Sequence, residues 1–136
     1  MVEMVIIILT FLTLVLGMID LAIMVTRVQT LAQAARSGSR AVMVRGAYAN
    51  LLGSQGPTAY TGTANDNHPI AHAVRNQLIL MTPANVRLNV TWPEGSNEVG
   101  RRVRVTASAD FTPLMTFIFG APTWTLTGSS EVSIAH

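Results

Sequence analysis

Two carboxylates stand where apolar residues dominate. Glu3 precedes, and Asp20 interrupts, a run from Met4 to Val25 that carries no other charge. A carboxylate in an apolar medium is costly unless it is paired or hydrogen-bonded, so each of the two needs a partner. Glu3 suits a pairing with an N-terminal amine or another cation of a neighbouring copy. For Asp20 three arrangements are open. It pairs across subunits with an arginine such as Arg27, it snorkels to a membrane surface, or it marks the end of a membrane span of about 16 apolar residues with tilt.

Further along, His68 and His72 stand four apart with Asp66 close by. That spacing puts two ligands on one helix face, but no further histidine or glutamate completes a metal set, and Pro69 places His68 at the helix start. Two solvated histidines are the better expectation, with no metal and no cofactor. No nucleophile elbow, P-loop or glycine-rich dinucleotide turn is present, so no enzymatic activity is expected. Asn89-Val90-Thr91 matches a glycosylation sequon by spacing only.

The elements that position these residues divide the chain unevenly. Its 136 residues suffice for one domain, with 12% charged and 49% hydrophobic residues. There are no cysteines, which rules out disulfides and thiolate metal sites. The nine basic residues, all arginine, give a net charge of only +2, too small and dispersed for a nucleic-acid partner. Met4 to Val25 would span about 33 Å as a helix, enough to cross a bilayer and too long for a signal-peptide core. The helical pattern continues through "TRVQTLAQAARSGSRAVMVRG" to Gly46, with Val28, Leu31, Ala35 and Val42 as an apolar stripe. Ala34 with Gly38, and Ala35 with Ser39, are small-residue pairs that allow close backbone approach, to another helix or to the chain's own domain.

A domain of residues 1–45 is therefore expected to be one long helix, apolar over 4–25 and amphipathic over 26–45. Residues 46–136 are expected to form a globular head with a flexible loop over 46–67. "NHPIAHAVRNQLILM" predicts a short helix capped by Asn67 or His68, burying Ile70, Val74, Leu78 and Met81 and ended by Pro83. Three strands follow. Val86, Leu88, Val90 and Trp92 alternate inward in the first, Val103, Val105, Ala107, Ala109 and Phe111 in the second, and Trp124, Leu126, Val132 and Ile134 in the third. The fold class is α+β. A long N-terminal transmembrane or filament-core helix continues into a small domain with a three- to four-stranded antiparallel sheet and a short second helix. The second half of the long helix covers the sheet. The apolar connection Leu114 to Phe119 either folds into the core or forms a patch that meets another subunit or lipid.

This layout resembles type IV pilin-like proteins, and most closely the TadE/TadG-like pseudopilin group. "VEMVIIILTFLTLVLGMID", "LAQAARSGSRAVMV" and "FTPLMTFIFGAPTWTLTGSSEV" carry the resemblance, over about half the chain. It implies a precursor cut after a glycine by a prepilin peptidase shortly before the glutamate. It also implies export with the C-terminal domain outside, pilus assembly machinery as partner, and a filament with the N-terminal helices bundled at its centre. Arg27, Arg36, Arg40 and Arg45 follow the span, and the positive-inside rule alone would put that side in the cytoplasm. The resemblance implies the opposite orientation.

The expected function is a structural subunit of a surface filament, held in the inner membrane before assembly and polymerising with itself as a helical homopolymer. Glu3, Asp20, Arg27, Arg36, Gly38 and Arg40 are the candidate assembly residues. A minor pseudopilin that primes or tips a pilus is the first alternative. A membrane-anchored extracytoplasmic binding domain, using loop 46–67 and the basic strand face, is an alternative of another class.

Overall fold

In a computed structural model, which describes residues 1–49, 51–116, 120 and 123–135, one helix runs the length of the molecule. This helix, α1, spans Val2–Met43, 42 residues or about 63 Å. Threonines inside it do not break it, because Thr10, Thr13, Thr26 and Thr30 each donate their hydroxyl to the carbonyl four residues back, at 2.8–2.9 Å. It ends at Met43, short of the expected Gly46.

The two halves of α1 differ in what surrounds them. Residues 2–12 are exposed on every face. From Thr30 onward Leu31, Ala34, Ala35, Gly38, Ser39 and Val42 are buried at helical spacing. Val28, expected on this stripe, lies off it and is exposed.

Four strands form one antiparallel sheet in the order β1-β2-β3-β4: β1 Tyr60–Thr63, β2 Val86–Thr91, β3 Arg102–Phe111 and β4 Trp124–Ser133. The sheet is α+β in the arrangement expected. One face carries Val86, Leu88, Val90, Val103, Val105, Ala107, Ala109, Phe111 and Leu126 into the core. The lower half of α1 lies across β3 and β4 on that face, with the short helix α2, Pro69–Arg75, beside it. Ser39 Oγ meets Ser130 Oγ at 3.0 Å and Ser37 Oγ donates to the Ala73 carbonyl at 3.0 Å, so the few hydroxyls in this interface are partnered.

β4 achieves its contact through glycine. A Cβ on Gly128 would collide with the α1 backbone at Leu31 and Ala32, standing 2.7 Å from the Leu31 carbonyl oxygen. Glycine in a strand interior is otherwise unfavourable, and here it lets sheet and helix backbones touch. Trp124, expected inward, is instead half-exposed at the end of β4, with its ring 6.4 Å from that of Phe111.

Two further differences concern the segment before α2. Residues 46–67, expected as a loop throughout, contain β1, which pairs Tyr60 with Val90 through to Thr63 with Arg87. The start of the loop is tied down as well, since Gln55 N donates to the Arg45 carbonyl at 2.7 Å and Asn97 Nδ2 to the Gln55 carbonyl at 3.2 Å. Asp66 organises the exit from β1. It accepts from Thr63 N at 2.9 Å, Thr63 Oγ1 at 2.7 Å and Tyr60 Oη at 2.9 Å. These bonds, the Thr63 hydroxyl first, hold its carboxyl below the usual range. Burial, then the bond to Asp66, pushes Tyr60 up to about 12. α2 is shorter than expected, ending at Arg75 rather than at Pro83. His68 is its cap, accepting from Ile70 N at 3.4 Å and stacked on Tyr60 at 4.0 Å.

The solvent face of the sheet is charged but balanced. Arg87 pairs with Asp110 at 2.8 Å, Arg101 and Arg102 with Glu94 at 2.7 and 3.0 Å, and Arg102 and Arg104 with Glu131 at 3.1 and 2.7 Å. The arginine hydrogen bonds hold all three carboxyls below their ordinary range.

Gly128→Val is expected to destabilise the head by about 3 kcal/mol or more, because backbone must move to admit the side chain. Thermal unfolding of the full chain in detergent micelles measures it, and an unchanged melting point would refute the close contact. Tyr60 supplies a pH prediction. Its folded pKa lies above the unfolded value, so its stabilisation is present below pH 10 and lost as pH rises through about 12. Melting points across that window should fall, and Tyr60→Phe should flatten this part of the curve.

Candidate assembly surface

The apolar half of α1 is the surface from which an assembly site would be built. Nothing in the described part of the chain covers it, and it carries Val2, Met4, Val5, Ile6, Ile7, Ile8, Leu9, Phe11 and Leu12 as exposed side chains. By length and composition, α1 as a whole is long and apolar enough to cross a membrane. Glu3 projects from its first turn, exposed, near the positive end of the helix dipole.

Asp20 does something the sequence did not reveal. Its side chain is only 9% exposed. One carboxylate oxygen accepts from Leu114 N at 2.9 Å and the other from Met115 N at 3.1 Å. The segment after β3 thus turns back and binds to α1 with two charge-assisted bonds, at a sequence separation of more than ninety residues. Met115 drops its side chain into the core while Leu114 stays exposed. The remainder of the expected apolar patch, Phe117–Phe119, lies outside the described residues. The carboxylate of Asp20 therefore has partners within its own subunit.

The other expected residues separate into two groups. Gly38 is buried against the head, where a Cβ would stand 3.0 Å from Val74 Cγ2 and 3.1 Å from Val105 Cγ1. Arg27 lies over the Phe111 ring of its own subunit, 5.3 Å from its centroid. Arg36 and Arg40 are exposed and share a groove with Gln33, Ser37 and Gln77. So Asp20, Arg27 and Gly38 fasten helix to head, whereas Glu3, Arg36 and Arg40 remain open to a neighbour. The histidines do not converge on a ligand, since His72 Nε2 meets Asn67 Oδ1 at 3.0 Å while His68 caps α2.

Residues missed in the sequence are Leu114 and Met115, which act through backbone amides, and Gly128. Only Gly128 had a signal, as a glycine inside an alternating strand.

A helix free on all faces at one end, clamped to a small sheet at the other, is the setting for the comparison with known proteins. Residues 1–40 match the family model described as TadE-like protein. The N-terminal helix is TadE-like. The TadE-like match covers 40 of 136 residues, nearly all of α1, and leaves the sheet outside it. No curated protein and no solved structure matches the chain.

Replacing Asp20 by alanine should orphan two backbone donors at the helix–head junction, costing about 1–3 kcal/mol for each. Hydrogen exchange at the Leu114 and Met115 amides should accelerate in Asp20→Ala while that of β2 and β3 changes little. Unaltered exchange at both amides would show that the carboxylate does not hold this segment.

Proposed function

We propose that this chain is a structural subunit of a pilus-like extracellular filament, polymerising through α1. The observation that carries the proposal is the upper half of α1. Over residues 2–12 it is apolar and exposed on all faces, as a helix at the centre of a bundle requires. Before assembly that surface sits in the inner membrane. On assembly, neighbouring copies of α1 replace lipid around it, and the balanced, charged face of the sheet stays outward.

Glu3 is the proposed register contact. Among helices that are otherwise uniformly apolar, sliding costs little, so a buried charge pair to a neighbour's cation fixes the axial position. Arg36 and Arg40 are proposed to contact adjacent subunits below the bundle. Prepilin peptidase and the pilus assembly machinery are the proposed processing and export partners. The TadE-like match also favours a second reading, a minor pseudopilin that primes or tips a pilus built from another subunit. The anchored binding domain has less support. It needs a free basic face, and Arg87, Arg101, Arg102 and Arg104 are paired with carboxylates.

Glu3→Ala should abolish filaments in the sheared surface fraction while the membrane-held subunit keeps a folded head by hydrogen exchange. Filaments of normal abundance in the variant would remove Glu3 from assembly. In the wild type, a sheared filament composed mainly of another protein would favour the minor-subunit reading.

A further inference from the structure

The uncharged stretch between Glu3 and Asp20 is 16 residues, about 24 Å of helix. A bilayer's hydrocarbon core is about 30 Å thick. Asp20 is also where the head begins, because Leu114 and Met115 are bonded to it. A cross-membrane α1 is therefore about four residues short, unless the first turn of helix beyond Asp20, with the part of the head beside it, enters the membrane.

That part of the head is apolar. Leu114 is 62% exposed at the Asp20 clamp, and Trp124, 45% exposed, borders a cleft with Gly17, Leu21 and Phe111. On another side of α1, Leu80 is 79% exposed in a groove with Ala22, Ile23, Thr26 and Arg27, the arginine lying at the end of the groove away from the bilayer centre in sequence order along α1. These side chains surround α1 at the level the missing length requires. The two backbone amides at the Asp20 clamp are satisfied in the way lipid demands. Irregular backbone is tolerated at membrane depth only where its N–H groups find protein partners, and Asp20 supplies two acceptors to such backbone while being shielded itself.

We propose that the base of the head is a lipid-contacting collar, in which Leu114, Trp124 and Leu80 insert into the interfacial layer of the outer leaflet while the subunit is in the membrane. An indole at this depth matches the position tryptophan favours at membrane surfaces. The occupant is phospholipid at the headgroup–acyl boundary. The inference rests on the membrane placement of α1 and is independent of polymerisation.

The test uses the full chain in phosphatidylcholine–phosphatidylglycerol vesicles at high lipid excess. Trp92→Phe leaves Trp124 as the sole tryptophan, and no partner of the Trp92 indole N–H is lost among the described residues. Flotation with the vesicles reports α1 insertion on its own. In floated protein, Trp124 emission should shift to the blue and be quenched by lipids spin-labelled near the headgroup, but not by aqueous iodide. Leu114→Cys, labelled with a polarity-sensitive dye, gives a second readout in a chain that has no other cysteine and keeps Trp92. The collar is refuted if floated protein shows both probes open to iodide. It is equally refuted if both are shielded from iodide and lipid label alike, the result expected when a second copy covers this surface. Protein that fails to float overturns the membrane placement together with the collar.

Discussion

The carboxylate of Asp20, bound to the amides of Leu114 and Met115, is the constraint from which the shape of the molecule follows. It sets where the helix stops being free. N-terminal to it, residues 2–12 of α1 are exposed on every face, and Met115 approaches the helix at Gly17. C-terminal to it, the helix becomes progressively part of a core. A hydrocarbon side chain at position 20 would leave two backbone donors without acceptors beside an apolar helix, and the segment after β3 would have no directional reason to return there.

The lower half of α1 is held by the absence of side chains as much as by their presence. Ala34, Ala35 and Gly38 lower the helix onto the sheet, and Gly128 removes the last obstruction from the other side. Small residues at a helix surface are compatible with a neighbouring helix or with a sheet, and the sheet is what the structure places there. The branched residues Val74, Val105 and Ile70 close around Gly38 so tightly that a Cβ there would stand 3.0–3.5 Å from them. Stripe residues in the free half, by contrast, are large and surround the helix, so no single face is marked for an intramolecular partner.

What was legible in the sequence follows the range of the interactions. The long helix, the alternation in β2 and β3 and the capping of α2 by His68 depend on neighbours within a few residues, and periodicity exposes them. β1 was obscured because Tyr60–Thr63 is four residues long and lies in a glycine-, alanine- and threonine-rich setting, and it forms by pairing with β2. The early end of α2 and the outward turn of Trp124 depend on how the chain is shared between layers. The role of Asp20 was hidden for a sharper reason. Its partners are main-chain amides, which every residue but proline has, more than ninety positions away. A carboxylate in an apolar helix announces that a partner exists without saying which, and a subunit-external cation fits the sequence as well as an internal amide.

The attachment of the head also decides how a subunit can move. α1 is fastened at three levels: at Asp20, where Leu31 and Ala32 meet Gly128, and at its C-terminus, where Ala135 N donates to the Met43 carbonyl at 3.1 Å. Contacts at both ends and the middle of the shared length leave no hinge between helix and sheet. In the proposed assembly, helix and head would therefore leave the membrane as one body, and lifting the subunit by any distance would lift the sheet by the same distance. The apolar surface that lipid covers at the start must then be covered by something else at the end of that movement, since water would leave it exposed at about 25 cal/mol for each Å². In the proposed filament, neighbouring copies of the same helix would provide a surface as apolar and as long as α1 itself.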